Sequence, residues 1–220
     1  MNTEKIMARM QRTGVIAVLV LDQVEDAVPL ARALLAGGVD IMELTLRTPV
    51  AVEALRRIVG EVPEMLAGMG TVLTPAQVTE VKAAGAAFGV APGMNARVVR
   101  AAAEAVLPFA PGVVTPSDIE HALECDCRLL KFFPAETSGG LKHLKYMAAP
   151  FMHLGVRFIP LGGLDAGNME KYLRDPIIQA VGGSWLAPRE LIKQQAWQRI
   201  TDNAQQATQL AQRARAGGAQ

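Results

Sequence analysis

Val15-Ile16-Ala17-Val18-Leu19-Val20, the run Val24–Ala36, the pair Gly37-Gly38 and then Ile41-Met42-Glu43-Leu44-Thr45-Leu46 read as strand, helix, stop and second strand. A short apolar run rich in β-branched residues suits a strand buried on both faces. The Ala/Leu-rich stretch after it has helical periodicity, and glycine belongs where a helix must end. Two strands separated by a helix point to a parallel crossover unit. Outward from this unit the same alternation runs to the end of the chain. Further strands are expected at Met65–Met69, Ala87–Ala91, Pro108–Ala110, Arg128–Phe133, Arg157–Leu161 and Ile177–Val181. Helices are expected at Pro75–Ala84 and Ala96–Val106, with Thr74-Pro75 and Thr115-Pro116 as starts and Gly85 as a stop. Eight strands, each followed by a helix, imply a closed parallel (β/α)8 barrel, with residues 1–220 as one domain. Met1–Arg12 is expected as an extra helix closing the bottom of the barrel. An open doubly wound sheet is the alternative, but no strand is followed by G-x-G-x-x-G.

Composition narrows the class of function. Half of the 220 residues are hydrophobic, a fifth are charged, and the formal net charge is +1. No basic excess points to nucleic acid or to an anionic membrane. No apolar stretch approaches the roughly 20 residues needed to span a bilayer, and the N-terminus lacks the apolar core of a signal peptide. A cytoplasmic protein that takes a small molecule, and no nucleic acid or membrane, is expected. Cys125 and Cys127 lie one residue apart, which matches neither C-x-x-C redox nor zinc patterns, and His121 before them reads as a surface histidine. No metal or other cofactor is expected.

The chemistry falls at the C-terminal ends of the strands, where barrels of this kind carry their sites. Alternation along the second strand puts Glu43, Thr45 and Arg47 on one face and Met42, Leu44 and Leu46 on the other. The polar set should face the barrel mouth. On the sixth strand Leu129, Lys131 and Phe133 share a face, so Lys131 is expected to share the interior with Glu43 and Arg47. A lysine in an apolar run is either snorkelling to water or held for its chemistry. Desolvation favours the neutral amine, which is a nucleophile toward carbonyls, and that makes Lys131 a candidate Schiff-base residue. Glu43 can serve as acid and base, and Arg47 can grip a carboxylate with two parallel bonds. A mutual Glu43–Arg47 ion pair is the alternative. The third strand ends in Gly70-Thr71. Glycine pairs follow the last two strands, Gly162-Gly163 and Gly182-Gly183 with Ser184, where such barrels commonly bind phosphate; plain tight turns are the other reading.

These residues resemble a known family. Glu43-Leu44-Thr45-Leu46-Arg47-Thr48, Gly70-Thr71-Val72-Leu73, Lys131-Phe132-Phe133-Pro134-Ala135-Glu136 and Gly182-Gly183-Ser184-Trp185 resemble the class I 2-keto-3-deoxy-6-phosphogluconate (KDPG) aldolases, also described as 4-hydroxy-2-oxoglutarate (KHG) aldolases. The resemblance covers nearly the whole chain. It implies a homotrimeric barrel that splits KDPG into pyruvate and glyceraldehyde 3-phosphate without a cofactor. It assigns Lys131 the Schiff base and Glu43 the proton transfers. It gives Arg47 and Thr71 the pyruvate carboxylate, Phe133 the substrate wall, and Gly162, Gly163, Gly183 and Ser184 the phosphate. The chain departs from the pattern at Leu161, where threonine is usual, at Met69, where a smaller residue is usual, and at Ala91, where serine is common. Leucine cannot donate a hydrogen bond to a substrate hydroxyl. Relaxed selection between gluconate and galactonate epimers, or a shorter substrate such as KHG, is therefore also open. A phosphosugar isomerase or a silent phosphometabolite-binding barrel would use the glycine loops without requiring Lys131.

Overall fold

Residues 3–217 are described here in a computed structural model. The opening unit forms as read: β1 (Val15–Leu19), then α2 (Ala27–Ala36) and β2 (Ile41–Thr45), preceded by α1 (Thr3–Thr13). The first part of the expected helix at Val24 is instead a single 3-10 turn, Val24–Asp26. The alternation continues through α3 (Ala51–Glu61), β3 (Leu66–Gly70), α4 (Pro75–Ala83), β4 (Gly89–Val90), α5 (Ala96–Glu104), β5 (Phe109–Ala110), β6 (Gly112–Val113) and α6 (Pro116–Glu124). It closes with β7 (Leu129–Phe132), α7 (Gly140–Ala148), β8 (Arg157–Pro160), α8 (Met169–Leu173), β9 (Val181–Gly183), α9 (Arg189–Lys193) and α10 (Trp197–Gly217). Thr74 and Thr115 cap α4 and α6 in reciprocal boxes with Gln77 and Asp118, so both helix starts are set locally.

All strand pairs are parallel, in the orders β5-β4-β3-β2-β1-β9 and β6-β7-β8. The fifth stave was expected to be one strand at Pro108–Ala110. It is two, β5 and β6, broken at Pro111, which has no N–H for the ladder. Bridges Phe158 to Ile178 and Leu161 to Gly182 join β8 to the last stave and close the barrel. That stave departs from expectation as well. Strand pairing was expected over Ile177–Val181, but the β1 partners are Val181, Gly182 and Gly183. A (β/α)8 barrel results.

Two apolar layers follow from the alternation of side chains along each strand. Met42 and Leu44, with Val15, Ala17, Leu19, Leu130 and Phe132, pack outward against the helices. Ile16, Ile41, Leu66, Phe88, Val90, Ile159 and Leu161 fill the interior together with Ile6 and Met10 of α1. The N-terminal helix thus plugs the bottom of the barrel, as expected. It is tied there by Gln179 Nε2, which donates to the Met7 carbonyl at 2.7 Å, and by Arg9, which pairs with Asp40 at 2.9 Å. Met1 and Asn2 lie outside the described residues. The Ala/Gln-rich stretch up to Gly217 lies in α10, whose Ile200, Ala204, Ala207 and Ala211 are buried. Small residues let α10 approach closely: a Cβ on Gly37 would collide with Ala204 and with the Thr201 carbonyl. Among the described residues no helix is long and apolar enough to cross a membrane.

Candidate active site

Glu43 is the third residue of β2 and Lys131 the third of β7, and parity turns both into the barrel. Their side chains are 3% and 6% exposed, and Lys131 Nζ donates to Glu43 Oε1 at 3.3 Å. Lys131 Nζ also lies 5.2 Å from the centre of the Phe133 ring, in reach of its negative π-face. Lysine and glutamate are almost never buried this far, and the Coulombic gain of one contact hardly repays the desolvation of two charges. Apolar packing would serve stability better, so the pair is a candidate for chemistry.

The site makes room for Glu43 by omitting a side chain. On the neighbouring β3, a Cβ at Gly70 would stand 2.6 Å from Glu43 Cδ and 2.8 Å from Cγ. The chain then turns sharply, because Thr71 has φ +60°, a left-handed conformation uncommon for a β-branched residue. Such a residue stores on the order of 1–3 kcal/mol, and it persists where neighbours over-determine it. Here the turn brings Thr71 Oγ1 to Arg47 Nε, which donates to it at 3.4 Å. Arg47 lies two residues past the end of β2 and is exposed at the mouth rather than inside. Glu43 is committed to Lys131 and Arg47 to Thr71, so the Glu43–Arg47 ion pair does not form.

A cavity of about 160 Å³ opens at this end, lined by Thr45, Arg47, Lys131, Phe133, Leu161, Gly162, Gly163, Gly183 and Ser184, with Val18, Val20 and Leu164. Glu43 and Thr71 stand behind this wall, each against one lining residue. Leu161 is buried and presents an apolar surface. A larger cavity, about 420 Å³, lies at the opposite end of the barrel among Met7, Val106, Phe109, Cys125 and Cys127. Its charged lining residues, Asp126 and Arg128, are a solvent-exposed pair 3.9 Å apart, so it lacks the buried acid–base contact of the upper site.

The two glycine pairs differ from one another. Gly162 and Gly163 have φ +95° and +80°, a loop that side-chain-bearing residues would strain. Among the described residues no internal hydrogen bond uses the amides of Gly163 and Leu164, which remain available to an anion. Gly182 and Gly183 were expected in a turn after the last strand but lie within β9, in extended backbone. They are glycine because neighbouring side chains occupy their Cβ space: Leu161 covers Gly182 and the Trp185 ring covers Gly183. Ser184 is exposed where β9 ends, next to the Gly162 loop in the cavity wall.

Thr45 faces this cavity as the polar face of the second strand implied, and its Oγ1 donates to the Leu19 carbonyl at 3.0 Å, tying β2 to β1. The sequence reading gave it no task. Glu136 was quoted only as part of a motif, yet it meets Tyr172 from α8 beneath the glycine loop. Its sequence signal was a charge four residues past the end of an apolar strand.

Comparison with known proteins points to one family. The family model described as KDPG and KHG aldolase matches residues 6–203. A 2-dehydro-3-deoxy-phosphogluconate aldolase from Dickeya dadantii is 45% identical over 193 residues, 88% of this chain and 90% of that protein. A solved KDPG aldolase from Legionella pneumophila, described with pyruvate captured as a covalent carbinolamine intermediate, superposes with a TM-score of 0.86 at 41% identity, covering 90% of this chain and 96% of that one. A Zymomonas mobilis KDPG aldolase solved with 3-phosphoglycerate gives a TM-score of 0.85 at 39% identity, over 93% and 95% of the two chains.

Proposed function

We propose, for a chain that belongs to the KDPG and KHG aldolase family and is a class I aldolase, that Lys131 is the Schiff-base nucleophile and Glu43 its acid–base partner. The observation that carries this reading is the buried contact of 3.3 Å between Lys131 Nζ and Glu43 Oε1. The substrate we assign is KDPG, the compound named for the relatives, cleaved to pyruvate and glyceraldehyde 3-phosphate.

The chemistry follows from the positions. The amine must be unprotonated to attack, and Glu43 stands where it can receive the proton from Nζ. Attack on the C2 ketone gives a carbinolamine. Glu43 hands its proton to the departing hydroxyl, and loss of water leaves an iminium ion conjugated with the departing bond and Glu43 again a carboxylate. Glu43 removes the proton of the C4 hydroxyl. The C3–C4 bond breaks, its electrons enter the iminium as an enamine, and the aldehyde leaves. Glu43 then returns a proton to C3, and water releases pyruvate from Lys131. The Phe133 ring beside Nζ suits the cationic iminium. Arg47 and Thr71 hold the substrate carboxylate, and Gly162, Gly163, Gly183 and Ser184 hold the phosphate. The reading extends to one barrel domain working as a homotrimer, as the resemblance implies, and to a cytoplasmic location, as the composition suggests.

Leu161 favours a second reading for the substrate alone. Its buried side chain forms cavity wall without offering a hydrogen bond, so epimers at the carbon it faces lose one source of discrimination. KHG, or the galactonate epimer of KDPG, then also turns over.

Incubation with pyruvate and borohydride, followed by digestion and mass measurement, tests the nucleophile. A reduced pyruvate adduct on the peptide containing Lys131 is expected. Native protein with no adduct, or with the adduct on another lysine, overturns the assignment.

A further inference from the structure

Behind the glycine loop stands a carboxylate that the reaction does not use. Two backbone bonds lace the segment after β7 onto the loop after β8: Ala135 N–H to the Leu161 carbonyl at 2.7 Å and Glu136 N–H to the Gly162 carbonyl at 3.0 Å. The Glu136 stem is pressed against the same loop, since a Cβ on Gly163 would stand 2.8 Å from Glu136 Cβ. From the far side Asn168 Nδ2 donates to the Gly163 carbonyl at 2.9 Å. The Glu136 carboxylate itself is held by α8. Tyr172, fully buried, donates its hydroxyl to Oε1, and Lys171 Nζ lies 3.2 Å from the same oxygen. Gly140 completes the nook: a Cβ there would stand 3.1 Å from Glu136 Oε1 and 3.2 Å from the Tyr172 hydroxyl.

We propose that Glu136, Tyr172 and Lys171 form a positioning device for the phosphoryl end of the substrate. The inference rests on the reading of the Gly162-Gly163 loop as the phosphate site. The Glu136 backbone and stem brace the loop in its left-handed shape. A free carboxylate at that place would repel a phosphate dianion bound at the neighbouring loop. The Tyr172 hydroxyl and the Lys171 ammonium hold the charge from the α8 side and partly neutralise it. Burial, and then the bond to Glu136, push the Tyr172 phenol above its ordinary range, so it stays a donor at every working pH. Charge at Glu136 is therefore tolerated only while Tyr172 restrains it.

Three variants test this: Tyr172→Phe, Glu136→Gln and the double variant. Steady-state cleavage is measured with KDPG and with its non-phosphorylated analogue, alongside exchange of the pyruvate C3 hydrogens in heavy water, which needs no phosphate contact. Loss of one charge-linked hydrogen bond should raise KM for KDPG by about tenfold in Tyr172→Phe, with kcat, the analogue and pyruvate exchange near wild type. Glu136→Gln, which removes the charge and keeps an acceptor, should leave KM for KDPG at or below the wild-type value. The double variant should recover most of the loss, because no charge remains to be restrained. An unchanged KM in Tyr172→Phe, or no recovery in the double variant, overturns the device. Should Tyr172→Phe fail to fold, a tenfold rise of KM in Glu136→Gln alone overturns it too. A wild-type enzyme that treats KDPG and its non-phosphorylated analogue alike refutes the phosphate-site reading itself, a result distinct from failure of the device.

Discussion

Gly70→Ala is a one-carbon perturbation aimed at the acid–base pair without touching either member. Gly70 pairs with Thr45 in the β2–β3 ladder and has no left-handed backbone to strain, so the new methyl acts through space alone. It would stand 2.6 Å from Glu43 Cδ, and nearer still to Oε1, where ordinary contact begins at 3.4 Å. The carboxylate must retreat by about 1 Å, and a displacement of that size at a reacting group costs about 10²-fold in rate. Overpacking of this kind also costs about 1–3 kcal/mol of stability. Pyruvate C3 exchange followed by NMR reports the proton transfer proposed for Glu43, kcat/KM for cleavage reports the whole reaction, and urea unfolding reports stability. Gly60→Ala is the control: a Cβ there meets nothing within 4 Å, and in the exposed last turn of α3 alanine should stabilise by no more than about 0.5–1 kcal/mol, the helix-interior value. Wild-type exchange and unchanged stability in Gly70→Ala would refute the idea that the missing side chain reserves the space for Glu43.

Lys131→Met should abolish adduct formation and destabilise the fold by about 3–5 kcal/mol, because Glu43 is left buried and unpaired; adding Glu43→Leu should recover most of that stability in urea melts without restoring activity. A single variant as stable as wild type would show that the pair is not desolvated as its burial implies. Burial, with added repulsion from Cys125 and Asp126, pushes the Cys127 thiol from 9.0 up to about 11. The folded thiol therefore keeps a proton that the unfolded one loses, so stability is intact below about pH 9 and falls by roughly 2 kcal/mol as pH rises to about 11. Cys127→Ala should flatten that alkaline decline in pH-dependent urea melts, and an unaltered slope would refute the assignment.

The local signals were strong where each physical cause is itself local. Alternation of side chains placed Glu43 and Lys131 inside and Met42, Leu44, Leu130 and Phe132 outside. Thr74 and Thr115 announced helix starts because a cap needs only residues three positions away. The last stave misled for the opposite reason. Ile177 and Ile178 have the higher strand propensity, while glycine is disfavoured in strands, yet Gly182 and Gly183 carry the pairing with β1. Leu161 and Trp185 fill the space above them, a contact that no local pattern encodes.

By itself, then, the chain of residues determined the barrel, the inward face of the strands that carry Glu43 and Lys131 and the candidate nucleophile, since these rest on periods of two and 3.6 and on a charge in an apolar run. Only the tertiary structure decided the partnerships. It paired Glu43 with Lys131 and not Arg47, emptied Gly70 to seat the carboxylate, turned Thr71 left-handed to meet Arg47, and set Tyr172 against Glu136 beneath the glycine loop. The residues Glu43 and Lys131 are 88 positions apart, and their meeting depends on how the strands close into a ring. Parity along one strand orients a side chain but does not choose its neighbour across the barrel.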